Sequence, residues 1–536
     1  MNKYIDYINE ISKEELFDGL VGFGLFSEKI PDFLTSETFL EFVKNKKTIL
    51  NSAKNPVNYI RYCSMRNNSV PRFFGIPNPI AYAQQCQSLS DNWEKITEHF
   101  KNKTDKDTLK VSRIHLRKLQ GKSGLFEMNY KNLEKDGSPE DDIVINSNYV
   151  AYADISNCFP SIYSHSIPWA LVGKPKAKKN RDKGEWFNQI DFYTRNLKNG
   201  ETNGILIGPH SSSLISELIL VDIDEKLVSE GFRYIRHIDD YKCYVDSHKQ
   251  AEEFFLSLSE ALKEHDLTLN HKKSKIISLP KASVGHWKDK LNCFNFKDFT
   301  YIDETQQECI NLNGVKFFIN LAIELMFQEE SDAAILNYAI QILARKELSI
   351  SAKNYYFKQV HHLVLLYPYF VGVLDKYIFN KHIFNKQAIQ TIAIDVFRVG
   401  INRKNYEACS FAVYWALKYD FEINFEIKNI ENIENIEKLS LKKQALDSLD
   451  CIFMMIAFLY DSKYQTYQNN SYLQEYKNKA NDLIEDNDFD KYWLYIYEVL
   501  PTDKIPELFK SMKKAKVSFI REALKVKYNY LIKKPL

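Results

Sequence analysis

The chain has 536 residues, 45% of them hydrophobic and 26% charged, with a formal net charge of +2. Such a length allows about two to four globular domains, and the near-neutral charge does not announce nucleic acid, so any such binding must come from local basic patches. The charged start, MNKYIDYINEISKEEL, lacks the apolar core of a signal peptide, and the longest apolar run, Cys451 to Tyr460, is too short to cross a bilayer. The eight cysteines form no CxxC pair and no regular spacing, which reads as free thiols in a reducing, cytoplasmic setting. The 33 tyrosines and 35 phenylalanines suit large helical cores better than stacking surfaces.

The first 60 or so residues read as helices over Lys3–Phe17 and Ser36–Leu50, the second capped by Ser36, with a loop at Gly19, Gly22 and Gly24 between them. Prolines 56, 71, 77 and 79 with Gly75 predict an irregular path over residues 56–82. Arg61, Arg66 and Arg72 lie there among Tyr59, Tyr62, Phe73 and Phe74. Basic residues interleaved with aromatics suit a nucleic-acid strand or a triphosphate, and a solvated loop over buried rings suits the same residues as well. Arg113, His115 and Arg117 share one face if Val111–Leu119 is a strand, a row of cations that calls for phosphate opposite; Lys118 and Lys122 adjoin it.

Tyr149–Ile162, YVAYADISNCFPSI, reads as a buried strand ending in Asp154, followed by a helix start near Ser161. Lys174–Lys183 reads as a basic surface loop. Asn203–Leu220 is a Gly208-Pro209 turn followed by a serine-rich helix whose small residues admit a neighbouring backbone. Phe232–Val245, FRYIRHIDDYKCYV, sets two aromatic and β-branched runs around Asp239 and Asp240, predicting a hairpin with both acids at its tip. Two adjacent acids cannot neutralise each other, so a cation or water must hold them. A helix over His248–His265 follows, then a strand-turn-strand at LTLNHKKSKIISL. Beyond Gly314 only Gly372 and Gly400 of the 17 glycines remain, and apolar residues recur at helical spacing with no fixed period. This half reads as an irregular or HEAT-like helical array.

Asp154 and Asp239 meet only if their strands are neighbours in one sheet. Carboxylates so placed suit two Mg²⁺ ions, with Mn²⁺ as the alternative, one activating a hydroxyl and the other stabilising a leaving pyrophosphate. That is nucleotidyl transfer. Asp141-Asp142, read as a surface loop, shows that a lone acid pair is weak evidence. His361-His362 reads as structural.

In order, DISNCF (154–159), GPHSSSLISELIL, IDDYKCYV and LNHKKSKI resemble the four palm motifs of reverse transcriptases. The wording YADISNCFPSIYSHSIPWA, IGPHSSSLISE and RHIDDYKCY, with PRFFGIP at 71–77, is similar to bacterial abortive-infection enzymes of the AbiK type, among the unknown-group phage-defence reverse transcriptases. The resemblance spans about residues 55–300. It implies an α/β palm and fingers, then an all-α helical-repeat-like domain in place of an ordinary thumb: 1–149, 150–300 and 301–536. It also implies metal ligation by Asp154, Asp239, Asp240 and the Ile155 carbonyl, a leaving-group lysine at Lys273, and an aromatic gate against ribonucleotides at Phe159. Substrate contacts would fall to Gly208, Pro209, Arg72, Arg113, Arg117 and Lys118. His237 stands where ordinary members carry Tyr or Phe, and Leu206-Ile207 replace the Pro-Gln that holds template and primer. The abortive-infection branch polymerises dNTPs without a template onto a protein hydroxyl, so the implied products are single-stranded DNA covalently attached to the chain. Implied partners are further copies of the chain (a trimer or larger) and a phage factor, with no membrane. The rival readings are an RNA-templated reverse transcriptase and a catalytically idle scaffold that senses phage.

Overall fold

The computed structural model describes residues 4–26, 29–52, 55–67, 70–104, 139–280, 286–302, 308–329, 332–379, 385–423, 426–428, 436–438, 440–464 and 470–521. A four-stranded antiparallel sheet lies near its centre, built from β3 (Tyr149–Asp154), β4 (Tyr234–His237), β5 (Asp240–Val245) and β6 (Lys275–Ser278) in the spatial order β4-β5-β3-β6. Alternation along β3 sends Ala151 and Ala153 to one face and Val150 and Tyr152 to the other. The alanine face joins the main core with Cys243, Tyr241, Tyr234 and Phe254. The second face closes over a smaller cluster of Ile143, Val150, Ile235 and Tyr244. Both faces are therefore covered, and only the strand ends are open for chemistry.

Residues 56–82 depart from the expected irregular path. Strand β1 (Tyr59–Met65) pairs with β2 (Pro71–Pro77) in a regular antiparallel hairpin, Tyr59 opposite Pro77 and Met65 opposite Pro71. Its prolines stand at the two ends of β2, where a missing N–H is tolerated in a two-stranded ribbon. Pro79 opens the helix Pro79–Asp91, where Asn78 caps by accepting from the Ile80 and Ala81 N–H groups at 3.0 and 3.4 Å.

The N-terminal reading also needs correction. The expected Lys3–Phe17 helix is two helices, Tyr4–Asn9 and Lys13–Phe23, because Ser12 and Glu15 form a capping box that starts the second. Gly19 and Gly22 then fall inside a helix rather than a loop. Ser36 makes no cap bond to its helix; its hydroxyl donates to the Gly22 carbonyl at 2.8 Å. Within the expected basic loop, Lys174–Lys179 is a short helix, and Asp141-Asp142 lie exposed in another, Pro139–Ile143.

Past residue 310 the described chain is helical apart from the short pair Glu426–Lys428 and Ile436–Lys438, and it includes one π-helical turn at Leu374–Phe379. No helix among the described residues is long and apolar enough to cross a membrane. None of the eight cysteines is in a disulfide.

The helical half grips the rest of the molecule. Glu407 accepts from the Tyr62 hydroxyl at 3.1 Å and the Met65 N–H at 2.9 Å, so β1 is pinned to the helix Tyr406–Tyr419. Asp490 accepts from Asn58 and Asn78 on either side of that hairpin. Residues 517–521 return to the N-terminal region, where Thr35 N–H donates to the Phe519 carbonyl and Arg521 N–H to the Phe33 carbonyl, both at 2.9 Å. One hydrophobic cluster accordingly runs from Ile8 to Ile520 and crosses both expected domain boundaries.

Candidate active site

The site forms where β3 ends beside the β4–β5 tip. The tip holds only two residues, Ile238 and Asp239; Asp240 is the first residue of β5, paired with His237 on one side and Asp154 on the other. The expectation of two acids at the tip is thus half met. The Ile155 N–H donates to the Asp239 carbonyl at 3.0 Å, which ties the tip to the end of β3. Asp154, Asp239 and Asp240 are brought together by this pairing.

The LNHKKSKI bend comes up against the other side of β3. Asn270 donates twice to Asp154, from its backbone N–H to the carbonyl and from Nδ2 to Oδ1, each at 2.7 Å. Lys273 Nζ lies 2.7 Å from Asp154 Oδ2. Asp154 is 5% exposed, whereas the Lys273 side chain is 64% exposed and reaches in from solvent. The bond to Asp154 raises the Lys273 pKa above its ordinary value, so its ammonium stays charged. Removal from water, then the Asp154 charge, raises Asp239. Asp240 reaches solvent, yet its carboxyl is crowded: loss of water contact, then the Asp239 charge and a hydrogen bond to Asp154, push it up to about 7.

Other expected residues surround this cluster. The Arg72 charge on β2 acts on Asp239, and its guanidinium lies 5.6 Å from the centre of the Phe74 ring. Gly208 has φ +127°, and a Cβ there would stand 3.3 Å from the Gly75 carbonyl oxygen, so glycine suits the point where β2 meets the loop before the helix His210–Ser229. Pro209 is buried at the N-cap of that helix. Phe159 is half-buried against the core, and its carbonyl accepts from the Ile205 N–H at 2.9 Å. Arg113, His115, Arg117, Lys118 and Lys122 lie outside the described residues. His361 approaches Asp395 of a neighbouring helix at 2.9 Å, away from this site.

Sequence reasoning missed Arg236, Glu217 and Asp224, a buried ionic group directly beneath the tip. The available signal was an arginine at an inward strand position between Ile235 and His237, and two acids, Glu217 and Asp224, seven residues apart on one buried face of the preceding helix.

An all-oxygen donor set with unneutralised negative charge fits a hard divalent ion such as Mg²⁺. Loss of water contact first, and the neighbouring carboxylate charges after it, raise Asp239 and Asp240, and the Lys273 ammonium stands on Asp154 as a cation would. Among the described residues no three His, Cys, Asp or Glu side chains are drawn together to ion-binding distance.

Carboxylates gathered at the end of an antiparallel sheet, with a lysine against them, are the equipment of a nucleotidyl-transfer site. Residues 111–317, which include all four of these groups, match the family described as reverse transcriptase (RNA-dependent DNA polymerase), and that domain is a nucleotidyltransferase of the DNA-polymerase type. No curated protein matches the chain. Among solved structures, the apo telomerase from Candida tropicalis is similar over 69% of this chain and 66% of that one, just under two thirds of its length. The identity is 10% and the TM-score 0.29.

Proposed function

We propose that the chain is a reverse-transcriptase-type DNA polymerase of phage defence that adds dNTPs without a template and carries the DNA covalently. The observation behind it is the juxtaposition of Asp154 with Asp239 and Asp240 inside a reverse-transcriptase domain, Lys273 beside them. Asp154, Asp239 and the Ile155 carbonyl would hold Mg²⁺, with Asp240 adjoining. When bound, the ions supply charge neutralisation at the attacking and leaving oxygens.

This chain's own residues do the rest. A hydroxyl oxygen, from the protein at the first step and from the DNA 3′ end afterwards, forms a bond to the α-phosphorus of the dNTP. The bond to pyrophosphate breaks and pyrophosphate departs. The hydroxyl proton passes to solvent, and Lys273 neutralises the charge on the departing oxygen. Arg72 faces the incoming triphosphate and the Phe159 ring excludes a 2′-hydroxyl.

Template independence is supported by Leu206-Ile207. Leu206 is buried, and the Ile207 carbonyl accepts from the Gly75 N–H at 2.8 Å, so the loop where ordinary members hold template and primer is sealed onto the β1–β2 hairpin. The family description favours a second reading, RNA-templated synthesis. Purified protein given Mg²⁺ and labelled dNTPs, with no nucleic acid, separates them. Under our reading label migrates with denatured protein as a nucleotide ladder and is lost in Asp239→Ala. Label that appears only with added RNA, in a sequence set by that RNA, overturns template independence.

A further inference from the structure

Asp239 follows Ile238, whose φ is +52°. A β-branched residue is disfavoured in that left-handed region, so the surrounding structure must hold it there. Arg236 is placed to do so. It is 0% exposed, and every N–H of its guanidinium is engaged. Nε donates to both Asp224 oxygens at 3.1 and 3.0 Å, and Nη2 to Glu217 Oε1 at 3.1 Å and Asp224 Oδ2 at 2.5 Å. Nη1 donates to Glu217 Oε2 and to the Ile238 carbonyl, each at 3.0 Å. The Tyr234 hydroxyl adds a bond to Asp224 Oδ1 at 2.7 Å.

Glu217 and Asp224 are both on the helix His210–Ser229. The guanidinium therefore links the helix behind Gly208-Pro209 to the peptide that enters Asp239. As a source of stability alone such a group is poorly suited, because apolar residues of equal volume replace a buried ion network with little or no loss. Apolar residues cannot, however, donate to the Ile238 carbonyl.

We infer that Arg236 is a positioning residue of the nucleotidyl-transfer site: braced by Glu217 and Asp224, it holds the Ile238 carbonyl and so aims the Asp239 carboxylate. The inference rests on the proposed polymerase reading, in which Asp239 binds metal. Removing the arginine alone would strand two buried carboxylates and destabilise the fold, so the test uses a neutralised triple variant, Arg236→Met with Glu217→Gln and Asp224→Asn. Arg236→Lys keeps the charge but replaces the planar five-donor fork by a compact ammonium with three donors, which cannot reproduce the paired contacts to Glu217 and Asp224 together with the one to the Ile238 carbonyl.

Full-length proteins are compared by Mn²⁺ binding in electron paramagnetic resonance, by kcat and KM for dNTP addition, and by melting temperature. The triple variant is expected to bind Mn²⁺ about tenfold more weakly, with kcat down about tenfold or more and KM for dNTP within about threefold. Arg236→Lys is expected to fall between it and the unmodified protein. A triple variant that melts normally and keeps its Mn²⁺ affinity and kcat overturns the inference. Should the triple variant melt more than about 5 °C lower, the lysine variant decides on the same two readouts, unchanged values again overturning it. If the unmodified protein adds no dNTP while Mn²⁺ affinity still drops in the variants, the polymerase reading fails and the positioning role stands. If it adds dNTP and the variants match it, the positioning role fails alone.

Discussion

Lys273 approaches Asp154 from solvent on a side chain that is 64% exposed, so its removal leaves no cavity. Its 2.7 Å contact with Asp154 Oδ2 belongs to the same cluster as Asp239 and Asp240. Lys273→Met is therefore expected to keep the fold, with at most a small fall in melting temperature from loss of the cation beside buried Asp154, and to slow dNTP addition about a hundredfold through loss of the charge that neutralises the departing oxygen. A rapid-quench measurement of single-nucleotide addition checks it, and a rate within about twofold of the unmodified protein removes Lys273 from the chemistry. At this scale the sequence was legible where chemistry leaves a local mark. Asp154 at the end of an apolar run, and Asp239-Asp240 between two β-prone runs, could be picked out by neighbours alone. Arg236 could not, because its meaning lies in Glu217 and Asp224, 19 and 12 residues earlier on a separate helix.

The β1–β2 hairpin and the helix Tyr406–Tyr419 are joined through a buried acid. Burial pushes Glu407 up from 4.5 to about 7, with hydrogen bonds from the Ser64 side chain, the Met65 N–H and the Tyr62 hydroxyl only partly offsetting it. A carboxyl whose folded pKa is raised binds more protons folded than unfolded, so its contribution is full below the unfolded value and lost as pH rises through the folded one. The stabilising effect is expected to fall by roughly 3 kcal/mol between about pH 4.5 and pH 7. Asp450, pushed up to about 6, and Asp461, to about 7, give slopes of the same sign. Glu407→Gln is thus expected to lessen the loss of urea midpoint between pH 5 and pH 8 without abolishing it. An unchanged slope would show that Glu407 does not titrate in this interval. The hairpin itself was missed in the sequence because the two prolines of β2 and the two that flank the hairpin read as breakers, and whether a proline breaks a strand depends on which edge lacks a partner.

Across the whole molecule the two ends of the described chain support each other. Phe519 is 0% exposed and packs its ring against Phe26, Phe39, Trp493 and Tyr497 at centroid distances of 4.8 to 6.3 Å. Phe519→Ala is expected to destabilise by roughly 3–5 kcal/mol, seen as a lower urea midpoint. Because the cluster bridges residues 26–39 and 493–519, hydrogen exchange should quicken on both segments together. Faster exchange confined to the C-terminal one would mean that the N-terminal helices stand without it. What the sequence by itself determined here is local: the strand period of β3, β4 and β5, the helical texture past Gly314, the order of the acid-bearing motifs and the breaks between them. Those follow from side-chain periodicity and turn chemistry, which act within a few residues. Tertiary structure alone decided that Asp154 pairs with Asp240 rather than with a residue further along, that Lys273 and Asn270 close on the same carboxylate, that Arg236 joins Glu217 and Asp224 to the Ile238 carbonyl, and that the helical half grips the β1–β2 hairpin. Each of these depends on which distant surfaces bury each other, and burial is a property of the assembled core that no short window of sequence contains.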